Sequence, residues 1–400
     1  LAEDLVAAGH DVRVVCGQPS YRTLPGEPAS LPTHERHRGV EIVRVPTYRP
    51  GRRSHVRRVA HYASYFAASL PAALRPWADV VLALTPPPLL LGLSGALAAR
   101  LSGVPFVYLV EDLYPELAVE LGALREGAFE RGLASLARAL YASASRVVAI
   151  SSEMAERLAA GGVARERLVV IHNWADTSEI VPRTRRTALS AALGLDERFV
   201  VLYAGNVSST LGLGALPEAA ASLVETPATF VVAGDGDARP RLEREVRARG
   251  LGNVVFVPPR PRAELGELLA TADVGLVTTR ARERGLRFPS KLFGVMAASR
   301  PVLAAAEAGS ELASIVDDAG CGQTVAPQRA DALADGVRRL LEAGAETRAA
   351  MGRRGRAACE RNFSRRVATA RYRALLEELV EAPRRAGRTV TAPLEPRDRA

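Results

Sequence analysis

Apolar residues along this chain gather into short runs rich in Val, Ile and Leu, separated by longer stretches with helical spacing. In the first half the runs fall at residues 12–15, 42–45, 80–84, 105–110, 146–150 and 168–171. Strands that are apolar on consecutive positions and alternate with helices predict a parallel sheet covered on both faces. The pattern then repeats at 199–203, 229–233, 254–257, 274–277 and 302–305. Between the two sets, residues 172–186 hold Asn173, Pro182 and a basic cluster, which is linker composition. Two α/β domains joined near residue 180 are therefore expected, 1–180 and 181–360. A length of 400 residues, more than one core usually organises, agrees.

Beyond Ala326 the pattern becomes helical, over 330–343 and again over 363–380, where Ser364 can cap the last helix. That helix is placed to pack back on the first domain. Residues 382–400 are rich in Pro, Arg and Thr and are expected to be disordered. At the other end, residues 1–8 read as a helix that stops at Gly9 and enters a strand. A doubly wound domain opens with a strand and a phosphate-sized turn before its first helix, so that strand and loop are expected upstream of Leu1. The longest apolar segment, 89–101, is too short to span a bilayer and reads as a buried helix.

Composition changes this picture at two points. Cys16, Cys321 and Cys359 are far apart and odd in number, which supports neither a disulfide framework nor a zinc site and points to a reducing, cytoplasmic setting. The formal charge of +9 comes from 53 basic side chains, of which 52 are arginine and one, Lys291, is lysine. An otherwise complete use of arginine draws attention to the one lysine, because guanidinium cannot replace a compact ammonium where one is needed. The plainer alternative is chance.

Two turns carry the candidate chemistry. Residues 204–212, Ala-Gly-Asn-Val-Ser-Ser-Thr-Leu-Gly, follow a strand and precede a helix, which aims backbone N–H groups at a ligand above the sheet and favours phosphate. By itself this is equally a plain glycine turn. The second turn, Arg287-Phe288-Pro289-Ser290-Lys291, starts a helix with a cation in its first turn. An ammonium at the positive end of a helix dipole is unfavourable unless an anion shares the site. The Asp235-Gly236-Asp237 sequence resembles a metal-binding pair, but its place after a strand fits a glycine turn better, and no metal is expected. Glu111 and Asp112, at the carboxyl end of the strand at 105–110, can either serve an acceptor hydroxyl or cap a helix. Residues 42–78 hold seven arginines (44, 49, 52, 53, 57, 58 and 75) and no acid, interleaved with aromatics. This stretch suits an anionic membrane surface, although an exposed basic face is the plainer reading.

Residues 288–302, with Pro289-Ser290-Lys291 leading into Met296-Ala297-Ala298 and then Pro301-Val302, resemble the donor segment of family 4 glycosyltransferases of the GT-B fold, in particular the bacterial branch similar to the L-fucosamine transferase WbuB. Matching pieces run along most of the chain, among them Gly9-His10-Asp11, Asp112-Leu113-Tyr114-Pro115-Glu116, Ala233-Gly234-Asp235-Gly236 and Gly309-Ser310-Glu311. The resemblance implies two Rossmann-like domains facing across a cleft. It implies a retaining, metal-independent transfer of a hexose or amino sugar, without a bound cofactor, from a nucleotide diphosphate donor, UDP by resemblance. The acceptor it implies is a saccharide or a lipid-linked saccharide at the inner membrane face, used in cell-surface polysaccharide synthesis; nucleic acid is not an expected partner. Gly205 and Asn206 would then approach the donor pyrophosphate, Ser290 and Lys291 would flank it, Glu311 would contact the donor, and Asp112 would serve catalysis with Lys291. Two departures stand out. Family members often carry glutamates where this chain has Leu286 and Gly294, and an Arg and a Lys where it has Asn206 and Leu211. The missing glutamates leave room for a nucleotide-sugar-binding protein without transferase activity, and the lone lysine for a phosphorylase or epimerase on the same fold.

Overall fold

The computed structural model describes residues 1–19, 30–48, 55–73, 77–85 and 89–387. In the first half, β1 (Arg13–Gly17), β2 (His34–His37) and β3 (Val40–Val45) form a small sheet in the order β1-β3-β2. The strands β4 (Val81–Leu84), β5 (Phe106–Val110), β6 (Arg146–Ala149) and β7 (Leu168–Val170) form a second, parallel sheet in sequence order. The single parallel sheet expected for this half is thus corrected in two ways. The hydrogen-bonded ladder divides among the described residues, and β2 runs antiparallel to β3. β2 escaped the sequence reading because His-Glu-Arg-His contains no apolar residue. The turn that creates it, Arg38-Gly39, has φ of +48° and +85°, the two positive values of a tight hairpin.

The second half is one six-stranded sheet: β8 (Phe199–Ala204), β9 (Ala228–Ala233), β10 (Val254–Val257), β11 (Val274–Thr278), β12 (Val302–Ala305) and β13 (Gly322–Val325). All pairs are parallel, in the order β10-β9-β8-β11-β12-β13. The order reverses between β8 and β11, and the crevice beyond their carboxyl ends is where open α/β sheets bind ligands. β13 was not anticipated because Gln and Thr fill its middle. Its glycine is a packing requirement, since a Cβ on Gly322 would lie 1.9 Å from the Val302 carbonyl oxygen.

Two helices close the chain, Gly344–Asn362 and Arg365–Gly387. Ser364 Oγ accepts from the Val367 N–H at 3.4 Å, the cap expected of it. The last helix returns to the first half, where Arg365 donates to Glu3, Asp4 and Asp176 at 2.9–3.1 Å and Tyr372 meets Trp174 edge-on. Its backbone continues through residues 382–387, which the tail reading had left disordered, and the rest of that tail lies outside the described residues. Among the described residues, no helix is long and apolar enough to cross a membrane.

Candidate active site

A cavity of about 900 Å³ opens at the strand-order reversal of the second sheet. Gly205, Asn206 and Leu211 line it from the turn after β8, Arg287, Ser290 and Lys291 from the second turn, and Trp174 and Glu179 from the linker. The first turn is built by backbone contact. Gly205 has φ +138°, and Gly234, at +135° after β9, could carry a Cβ only 1.9 Å from the Gly205 oxygen. A Cβ on Gly236 would likewise meet the Val207 oxygen at 2.2 Å, so two neighbouring turns press together where only glycine fits. Asp237 braces them by accepting from Ser209 Oγ at 2.5 Å. Burial raises its carboxyl, but hydrogen bonds from Ser209 and Ser208 outweigh this and leave it below the usual range. Its role is therefore structural, and among the described residues no group of three or more His, Cys, Asp or Glu side chains could hold a metal ion.

Lys291 is the first residue of the helix Lys291–Ala297. Its Nζ donates to Tyr203 Oη at 2.5 Å and lies 4.0 Å from the centre of that ring, while Tyr203 Oη donates to the Asn206 carbonyl at 2.6 Å. Burial, and then the nearby Arg287 guanidinium, push the ammonium down to about 7. A cation whose hydrogen-bond partner is a neutral phenol, at a helix start and 3.6 Å (from its Cε) from where a Gly205 Cβ would sit, is prepared for an anion. Gly205, Asn206, Ser290 and Lys291 thus come together as the sequence expected. Gly294 also lines this cavity and adds no carboxylate to it, and Leu286 is buried and does not line it.

Asp112 belongs to the facing loop. Thr85 Oγ1 accepts the Glu111 and Asp112 N–H groups at 2.8 and 3.4 Å. The Asp112 backbone forms an antiparallel bridge with Arg287, and the Leu113 N–H donates to the Leu286 carbonyl at 2.8 Å. The loop after β5 therefore touches the Arg287 turn directly. Burial raises the Asp112 carboxyl, opposed by the Arg287 charge, and burial followed by the Asp112 charge carries Glu111 up to about 7.

Glu311 stands apart and does not line the cavity. Its Oε1 pairs with His172 Nε2 at 2.7 Å and its Oε2 accepts from the Glu153 N–H at 3.0 Å, while Glu153 Oε1 accepts from the Glu311 N–H at 2.9 Å. The two helix starts thus exchange caps across the domain junction. Burial raises the Glu311 carboxyl, but the hydrogen bonds led by His172 hold it below the usual range. Three further residues were not picked out from sequence: Tyr203, Arg287 and Glu283. Arg287 precedes Lys291 by four residues, yet among 52 arginines it carried no signal of its own. Of the basic stretch, Arg44 is spent on Glu35 at 2.6 Å. Arg49, Arg52, Arg53 and Arg75, and the side chains of Arg57 and Arg58, lie outside the described residues.

Comparison with known proteins agrees with this architecture. Residues 1–174 match the glycosyl transferase 4-like domain and residues 198–343 match the glycosyl transferases group 1 family. WcaI of Escherichia coli, a glycosyl transferase named for colanic acid biosynthesis, is 31% identical over 353 residues, covering 85% of this chain and 86% of its own. WbjE of Pseudomonas aeruginosa, named as a glycosyltransferase, is 31% identical over 307 residues, covering 76% and 75%. The structure of HepE from Anabaena in complex with UDP and glucose superposes with a TM-score of 0.69 at 21% identity, covering 84% of this chain and 86% of that one, a likeness of fold. With its two Rossmann-like domains and the crevice between them, the chain belongs to the family 4 glycosyltransferases of the GT-B fold.

Proposed function

We propose that this glycosyltransferase takes a hexose or amino sugar from UDP and transfers it, with retained configuration, to a saccharide acceptor used in cell-surface polysaccharide synthesis. The observation that carries this reading is Lys291, an ammonium with a neutral partner at the start of a helix, facing the Gly205 turn. In this proposal residues 181–360 hold the donor and residues 1–180 the acceptor. Gly205 and Asn206 offer backbone to the diphosphate, and Ser290 and Lys291 flank it. Lys291 stabilises the charge that grows on the leaving diphosphate, and Asp112 orients the acceptor hydroxyl. Glu311 acts on the donor site indirectly, by positioning His172, whose ring meets Phe288 of the cavity wall edge-on at 6.2 Å. The UDP and polysaccharide assignments are supported by the bound ligands of HepE and the name of WcaI. The WbuB-like branch is supported by the Pro289-Ser290-Lys291 turn, and a lipid-linked acceptor at an anionic membrane face by the basic stretch at 42–78.

The test is UDP release from a panel of UDP-sugars with saccharide acceptors in the presence of EDTA, followed by NMR of the product anomer. Turnover with a retained anomer is expected. An inverted product, or activity that needs added manganese, would overturn the mechanism.

A further inference from the structure

The first turn poses a question of charge. The turn at 204–212 contains no Arg or Lys, so the backbone that faces the diphosphate in the reading above has no cation of its own. Arg287 lines the same cavity as Asn206 and Leu211 of that turn and as Lys291. Its guanidinium is held firmly by Glu283 and only loosely at Nη1. Nε and Nη2 donate to Glu283 Oε2 at 2.9 and 2.6 Å, and Nη2 also reaches the Thr210 carbonyl. Nη1 makes a single long contact, 3.3 Å to Thr210 Oγ1, and Thr210 lies between Asn206 and Leu211 in the first turn.

We propose that Arg287 is the second cation for the donor diphosphate, supplying the charge that this turn lacks, and that Glu283 governs how much of its charge the ligand feels. This rests on the reading that a nucleoside diphosphate fills the cavity. Glu283 is 3% exposed, and its Oε1 has no hydrogen-bond partner, so the resting ion pair is incomplete on the carboxylate side as well as on Nη1. Arg287 also supplies what Lys291 lacks. A guanidinium stays charged across the pH range, whereas burial brings the lysine close to half-charged near neutrality. The two cations disfavour each other, and an anion lying between them relieves that repulsion. A planar guanidinium can further take two oxygens of a phosphate at once.

The experiment measures, by calorimetry on the whole chain, the affinity for UDP, GDP, ADP and dTDP and for each monophosphate. The ratio of diphosphate to monophosphate affinity isolates the outer phosphate, which a purely structural brace would not single out. Arg287→Ala is expected to lower that ratio about tenfold while leaving monophosphate affinity nearly unchanged, and Arg287→Lys to fall between. Glu283→Gln keeps an acceptor for the guanidinium but removes the opposing charge, so it is expected to raise the ratio a few-fold. A structural role for the pair predicts instead that both variants weaken mono- and diphosphate alike. An unchanged ratio in Arg287→Ala, or a lower one in Glu283→Gln, overturns the proposal. If Arg287→Ala fails to fold, Arg287→Lys and Glu283→Gln still decide it. If no diphosphate binds the wild type, the donor reading fails and this inference with it. If Lys291→Ala collapses the ratio and Arg287→Ala does not, only this inference falls.

Discussion

The six-stranded sheet of the second half and the small β1-β3-β2 sheet of the first are built to different tolerances. In the second half β9, β11 and β12 are buried at every position and β8 at all but its last, and the turns above them are set by backbone pressed against backbone. In the first half β5 is likewise buried at every position, but the small sheet is looser, with β1 half-buried throughout and β2 largely exposed. In the proposed division of labour, with the donor on the second half and the acceptor on the first, the contrast follows from what each part handles. A nucleoside diphosphate offers the same atoms whatever sugar it carries, so its turn can be fixed by packing that admits no side chain. An acceptor side gains from a scaffold whose surface can change without disturbing a core.

The contrast breaks first if the lysine is removed. Lys291→Ala should slow transfer about 100- to 1000-fold, the typical worth of a charge-stabilising partner, about 2.7–4 kcal/mol. Steady-state UDP release measures this, and wild-type rates in the variant would remove Lys291 from the site. Lys291→Arg should also be impaired, because a fork replaces a point charge at the Tyr203 hydroxyl.

Next comes a matched pair of glycines. Gly234→Ala forces a Cβ against the Gly205 oxygen and should cost about 1–3 kcal/mol, with loss of nucleotide binding. Gly9, with φ +93° and nothing within 4 Å of its Cβ position, leads into the looser small sheet. Gly9→Ala should cost only the strain of its backbone, about 1 kcal/mol, and leave nucleotide affinity intact. Thermal melts and UDP titrations check both, and equal costs would deny the difference in tolerance.

Asp112→Asn separates the two functions. Transfer should fall while the affinity for UDP changes less than about twofold, because the bridge to Arg287 is made by backbone. A matching loss of UDP affinity would place Asp112 on the donor instead. The smallest effect is expected at the periphery. Replacing Arg52, Arg53, Arg57 and Arg58 with Gln should release the protein from anionic vesicles, at about 1 kcal/mol per charge near the surface, without changing donor binding. Unchanged co-sedimentation would leave the stretch as a solvated basic face.

The same contrast governs how much was legible in the sequence. Strands buried on both faces announce themselves as apolar runs, so β9, β10, β11 and β12 were found nearly to the residue. β2 and β13 were missed because an exposed edge strand and a glycine-led strand need no apolar run. At the site, Gly205 stood out as the start of a glycine turn and Lys291 as the one lysine of the chain. Tyr203 looked like any core aromatic, and Arg287 and Glu283 act through a contact with the first turn that no local spacing encodes. Glu311 shows the converse: it was legible as part of a motif, but its hydrogen bonds run to His172 and Glu153 at the domain junction.

Because this chain contains one lysine, labelling with ¹³C,¹⁵N-lysine gives a single Nζ signal whose midpoint can be followed by NMR with and without UDP. The lowered value predicts protonation of the folded protein near pH 7, against about 10.5 when unfolded. Between these values the unfolded chain binds the extra proton. This group's contribution therefore makes the fold more stable as pH rises through that window, the sign for a depressed lysine. Diphosphate binding has the opposite demand and should draw the midpoint upward, with proton uptake. A midpoint near 7 that rises on saturation with UDP is the result this account predicts; a midpoint near 10.5, or one that UDP does not move, would contradict it.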